Sequence, residues 1–181
     1  MRGKGPLAAA LLFAGLLATA KANADPQGHV AVRTAFCGTG EASALWQTTE
    51  FCGGVIGDLL FLRSDAKGIG VGPYLELTTA GFWDVRWGGG GSALLPVHED
   101  FPLVLQLGAY GHELSAVALG GSVFWGIRGY NFTSAYNLAA GVFVSFQRDL
   151  DARGANLVSA GFELDGVLLA MPFLLAWRAL E

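Results

Sequence analysis

The chain has 181 residues, 27 of them glycine, with 15 acidic against 11 basic side chains and a net charge of −4. That length suits one domain, and the acidic balance with no Lys/Arg cluster excludes a phosphate-tracking nucleic-acid surface. No apolar run reaches the roughly 20 residues a membrane-spanning helix needs.

The first 24 residues read as an address rather than as structure. Arg2 and Lys4 make a basic start, Leu7 to Ala20 an apolar run, and Ala22-Asn23-Ala24 a small-residue cleavage site. This is the pattern of a secretory signal peptide cut after Ala24, leaving residues 25–181 as the domain. No cysteine follows the cut, so a lipid-anchored lipoprotein is not expected. An exported, apolar, glycine-rich chain is then either a soluble periplasmic β-protein or an outer-membrane barrel. In that oxidising compartment Cys37 and Cys52 are expected to form a disulfide. Closing a loop of 14 intervening residues stabilises the fold by roughly 3 kcal/mol through chain entropy.

From His29 onward apolar and other residues alternate with a period of two, the signature of strands. A first strand, His29 to Cys37, sets Val30, Val32, Thr34 and Phe36 against Ala31, Arg33 and Ala35. Gly38 to Glu50 reads as a polar loop. A second strand, Cys52 to Leu62, turns Val55, Leu59 and Phe61 one way and Asp58 the other, and Arg63 to Gly68 is a turn. The third, Ile69 to Thr79, opposes Val71, Leu75 and Leu77 to Tyr74, Glu76 and Thr78, and a tight reversal follows at Ala80-Gly81.

The fourth strand, Phe82 to Leu95, opposes Trp83, Val85 and Trp87 to Asp84 and Arg86. Its run Gly88 to Gly91 predicts a bend. After a turn at Pro96 to Phe101, the fifth, Pro102 to Tyr110, places Leu103, Leu105 and Leu107 opposite Gln106 and Tyr110. The sixth, Ala116 to Arg128, places Val117, Leu119, Val123, Trp125 and Ile127 opposite Ser122 and Arg128. Tyr136 to Gln147 and Asn156 to Gly166 complete the set as a hairpin around the charged turn Arg148 to Ala155. In that hairpin Phe146 and Phe162 share the apolar face, while Glu163 and Asp165 share the other. Val167 to Trp177 breaks the alternation, and reads either as an extension of the last strand or as a short interfacial segment.

One face of these eight strands carries Leu, Val, Trp and Phe with essentially no charge, and the other mixes Gly, Ser and Tyr with isolated charges. Lipid outside and a narrow polar lumen inside fit that pattern, and eight strands enclose an interior that side chains can fill. The expected fold is all-β: a single up-and-down antiparallel transmembrane β-barrel. Over Val30 to Gly166 the chain resembles the small eight-stranded outer-membrane barrels of the OmpX type in signal peptide, strand count, strand length and alternation. The resemblance implies outer-membrane lipids, barrel-assembly machinery and periplasmic chaperones as partners, and the Gly38–Glu50 loop is the expected surface for a further one.

The expected lumen charges are Arg33, Asp58, Glu76, Asp84, Arg86, Arg128, Glu163 and Asp165, which burial requires to be paired. Facing and register predict Glu76 opposite Arg86 or Asp84, and barrel closure predicts Glu163 near Arg33. Phe61, Trp83, Trp87, Trp125, Phe146 and Phe162 are the expected lipid-facing aromatics. His29, His98 and His112 sit at strand ends or turns, and Gly111-His112-Glu113-Leu114-Ser115 reads as a solvated turn rather than as a hydrolase site. Gly68-Ile69-Gly70-Val71-Gly72 has no helix after it and lacks the mechanism of a phosphate loop. Asn131-Phe132-Thr133 matches a glycosylation acceptor without meaning in a Gram-negative host. No cofactor, metal or catalysis is expected, and the role is structural or surface-interactive at the envelope. The alternatives are a lipid-modifying barrel enzyme of the lipid A deacylase kind and a soluble periplasmic barrel binding an apolar ligand.

Overall fold

The structure, a computed structural model, describes residues 25–41, 44–112, 116–130, 135–150 and 154–179. The expected signal peptide, Asn131–Thr133, Glu113 and Ser115 lie outside them. Eight strands follow in order: β1 (Gln27–Gly40), β2 (Thr48–Leu60), β3 (Gly70–Ala80), β4 (Asp84–Leu95), β5 (Leu103–His112), β6 (Ala116–Arg128), β7 (Ala139–Asp149) and β8 (Asn156–Asp165). A helix, α1 (Gly166–Ala179), comes last. Each strand pairs antiparallel with the next, and β8 returns to β1, so the sheet closes into an up-and-down barrel. β1 starts and β8 finishes at the same end, here the proximal end. The ends of β2, β4 and β6 and the starts of β3, β5 and β7 lie there too; the ends of β1, β3, β5 and β7 and the starts of β2, β4, β6 and β8 lie at the distal end.

Alternation decides which side chains the closed sheet swallows. Along β1, His29, Ala31, Arg33, Ala35 and Cys37 are buried, while Val30 and Phe36 stand in the open. The same parity holds in β8, where Ser159, Glu163 and Asp165 are buried and Phe162 and Leu164 are exposed. Leu75 and Leu107 on the outer face are each 74 % exposed.

Two expectations change. The Gly38–Glu50 loop is mostly ladder: Cys37 pairs with Glu50 and Thr39 with Thr48, leaving 41–47 as the connection. The Cys37–Cys52 disulfide, with Cα atoms 5.9 Å apart, joins diagonal neighbours inside this hairpin. The Thr39 and Thr48 hydroxyls hydrogen-bond, and the Trp46 indole N–H donates to Thr49 Oγ1 at 2.8 Å, so polar side chains here serve the ladder rather than a loop. The reversal after β3 takes three residues, Gly81, Phe82 and Trp83, with Gly81 at φ +57° and Phe82 at +65°. Trp83 therefore belongs to a turn and not to β4.

The glycine run is part of the ladder. Gly88 to Gly91 stay paired on both sides, with β3 and with β5, and do not interrupt β4. Their role is room: a Cβ at Gly88 would overlap the Tyr110 ring from the neighbouring strand, an aromatic lying over a strand glycine.

The stretch Val167 to Trp177 is helical, not strand. Asp165 begins it as an N-cap, its Oδ1 accepting from the Val167 N–H at 2.7 Å and the Leu168 N–H at 3.4 Å. With apolar residues at successive positions, no strand face could hide them all.

At Gly161 a Cβ would collide with the Thr34 carbonyl oxygen across the β1–β8 seam, whereas at Gly53 the nearest heavy atom is the Arg33 carbonyl oxygen at 3.9 Å. Gly161→Ala is expected to cost about 1–3 kcal/mol through overpacking, and Gly53→Ala to stay within about 0.5 kcal/mol of the parent. Urea unfolding of the refolded chain measures both.

Candidate functional site

The interior is organised around Arg33, whose side chain is buried in the lumen. An inward position on β1 sends a long side chain across the barrel, and the guanidinium offers donors in a fixed planar fork. Its Nε donates to Glu163 Oε2 at 2.8 Å and its Nη1 to Glu76 Oε1 at 2.8 Å. Nη2 lies 2.8 Å from Glu163 Oε2 and donates to Gln106 Oε1 at 3.0 Å. The Phe143 ring centroid sits 4.5 Å from the guanidinium carbon. Glu76 Oε2 accepts from the Tyr110 hydroxyl at 3.1 Å, Tyr74 and Tyr110 share a 2.9 Å hydrogen bond, and Ser122 Oγ donates to Gln106 Oε1 at 2.5 Å. One cation thus gathers side chains from β3, β5, β6, β7 and β8.

Toward the proximal end, His29 lies between two carboxylates, with Nε2 3.4 Å from Glu163 Oε1 and Nδ1 3.8 Å from Asp58 Oδ1. Asp58 pairs with Arg128. Arg63, from the β2–β3 connection, closes this end: its Nη1 and Nη2 each donate at 3.3 Å to the carbonyls of Gly129 and Arg128. Burial first, and the Arg128 charge second, push the Arg63 guanidinium down to about 10. Toward the distal end, Arg86 Nε donates to Asp84 Oδ2 at 3.0 Å and its Nη1 to Asp149 Oδ1 at 2.9 Å. His112 Nε2 lies 2.9 Å from Asp84 Oδ1. The Ser145 and Ser159 hydroxyls meet at 2.5 Å between β7 and β8. A void of about 20 Å³ is lined by Arg33, Cys52, Thr78, Ser145 and Gln147 among others. It has room for about one water molecule.

No family model, curated protein or solved structure matches this chain.

The structure places Arg33 opposite Glu163 in the seam register. It does not place Glu76 opposite Arg86 or Asp84. The three-residue turn sets Ala80 against Asp84 and Thr78 against Arg86, so Glu76 faces Gly88. Arg86 then lies nearer the distal rim and takes Asp84 and Asp149, while Glu76 is met by Arg33 from across the lumen. An eight-stranded lumen is narrow enough for one arginine to span, so partners across the barrel compete with neighbours in the sheet.

Asp165 is buried but caps α1 and accepts from the Tyr136 hydroxyl at 2.9 Å, apart from the lumen pairs. His29 lies near the start of β1 but is buried in the interior, and His112 closes β5 in contact with Asp84 rather than lying in a solvated turn. Of the aromatics, Trp87, Trp125, Phe146 and Phe162 stand exposed on the outer face and Trp83 is exposed in the distal turn. Phe61 is only partly exposed and bridges to Val71.

Sequence reasoning missed Asp149 and Arg63; it put Gln106, Tyr74 and Tyr110 on the inner face, where they are buried, without pairing them with Arg33 and Glu76. Asp149 was within reach of parity, two residues beyond inward Gln147; Arg63 was not, because it comes from a connection.

Replacing Arg33 alone leaves Glu163 and Glu76 without their cation in a dry interior. Arg33→Met is expected to destabilise the barrel by about 3–5 kcal/mol. Adding Glu163→Gln and Glu76→Gln removes the orphaned charges and recovers most of the loss. Urea midpoints of the parent, single and triple variants decide this, and equal losses in single and triple variants would remove Arg33's pairing from the account.

Proposed function

We propose that this chain is an outer-membrane β-barrel of the small eight-stranded, OmpX-like type, exported by a cleaved signal peptide, with a structural or surface-interaction role and no catalysis. The observation that carries the reading is an inverted distribution of polarity. From Val30 to Leu164 the outward strand positions among the described residues bear one charge, Arg148 at the distal rim. The charged side chains of the strands instead cluster in the lumen or at its mouth. A soluble barrel needs the reverse, and an apolar ligand cavity is hard to fit into an interior built from Arg33, Glu76, Glu163, Asp58 and Arg128.

Two further observations support membrane insertion. Strands of 10 to 14 residues meet the roughly 9–11 that a tilted strand needs to cross. A closed sheet also leaves no unpaired strand edge for lipid to solvate. The plug around Arg33 argues for a scaffold rather than a conduit. Exposed Leu45, Trp46, Phe82 and Trp83 gather the apolar surface of the distal rim and make it the preferred place for a surface partner. The cleaved leader, the assembly machinery and the chaperones follow from the same reading.

Fractionation and gel mobility test it. The protein is expected in the outer-membrane fraction, with unheated samples running apart from boiled ones because the closed barrel resists detergent. Recovery in the soluble periplasmic fraction with no heat-dependent shift would overturn the reading. Opening the β1–β2 hairpin by Cys37→Ala with Cys52→Ala is expected to lower the temperature of that shift, in line with the roughly 3 kcal/mol of a short disulfide loop.

A further inference from the structure

The helix α1 stands outside the barrel wall with its apolar side chains uncovered. Val167, Leu168, Leu169, Met171, Leu175 and Trp177 are all exposed. At about 100° per residue these positions are spread around the helix and do not form one stripe. The only charged residue within it is Arg178, in its last turn. A helix apolar on all sides is a buried helix, and a flat protein surface buries one side of a cylinder only. What surrounds it must come from every direction.

The attachment of α1 says where that medium lies. Asp165 is both the last residue of β8 and the N-cap of α1, so the helix leaves the wall directly, without a linker. Tyr136 reinforces the corner: its hydroxyl donates to Asp165 Oδ2 at 2.9 Å and lies 3.2 Å from the Val30 carbonyl oxygen. The exposed outer residues next to that corner are Val30, Phe162 and Leu164, so the apolar wall runs on into the helix. Fourteen residues make a helix of roughly 21 Å, short of the roughly 30 Å hydrocarbon core. That is too short to cross and longer than the roughly 15 Å of one leaflet, so a helix held in a single leaflet runs along the membrane plane.

Resting on the membrane reading above, we propose that α1 is embedded among the acyl chains of the leaflet at the proximal end, as a lateral anchor beside the barrel. Pro172 fits this placement, since membrane helices tolerate proline inside them. Arg178 falls at the far end of the helix, where a long basic side chain reaches the headgroups.

The test is nitroxide accessibility in the full chain, oxidised at Cys37–Cys52 and refolded into phosphatidylcholine vesicles. Leu175→Cys and Trp177→Cys report from opposite sides of α1, roughly 200° apart, and Leu105→Cys on the barrel wall is the control. Expected is a shift at both helix sites from collision with a water-soluble nickel chelate to collision with oxygen, matching Leu105. Lipid exposure at Leu105 with chelate access at either helix site overturns the anchor and leaves the barrel reading intact. Immobilised labels that neither reagent reaches overturn it in favour of a second copy packed on α1. Chelate access at Leu105 overturns the membrane reading itself, and the anchor with it.

Discussion

Closure of the sheet is the constraint from which the rest of this structure follows. Ten residue pairs, from Ala31 with Asp165 to Gly40 with Asn156, join the first strand to the last. A sheet with a free edge has two faces that water can reach equally well. A sheet joined to itself has an inside whose volume is fixed by the strand number, and each inward side chain must then find its partners there or go without. The glycines along the wall serve the same constraint. Gly161 lets the Thr34 carbonyl approach within the seam, and Gly88 lets a tyrosine ring lie flat inside.

Within that sealed volume, charge is distributed by reach. Arg33 is long enough to touch carboxylates on two strands that are not neighbours of each other, Glu163 on β8 and Glu76 on β3. The arrangement resembles a hub with spokes more than a set of cross-strand rungs. Buried ion pairs are weak contributors to net stability, because desolvation offsets most of the attraction. Their geometry is tied to register: a slip of one residue in β1 would turn Arg33 to the outer face and leave Glu163 and Glu76 without it.

The sequence was most legible where the pleat alone decides the outcome. Parity set the sides of Arg33, Asp58, Glu76, Glu163 and the outer Trp87, Trp125 and Phe162, because a period of two survives errors in where a strand begins. It was least legible where turn position or chain direction decides. Centring the reversal on Phe82 instead of on Ala80 or Gly81 set Glu76 opposite Gly88 and Arg86 opposite Thr78, and no composition signal distinguishes these centres. The polar hairpin arms around Cys37 and Cys52 read as loop, since threonine and glutamate at a sheet end carry no apolar alternation. Arg63 and His29 act in the interior from a connection and from a strand's first residues, where patterning is thinnest.

The seam has a further consequence in time. Arg33 and Glu163 are 130 residues apart in the chain, so the second neighbour of β1 comes from the last strand. Contacts of such long range carry the largest loop-closure cost and form slowly. The β1–β8 pairing therefore carries the largest closure cost of any in the sheet, whereas β1 and β2 are joined by a short connection. The covalent bond between Cys37 and Cys52 lies within that first hairpin. It keeps β2 as the fixed companion of β1, so that closure has a single edge of β1 to find.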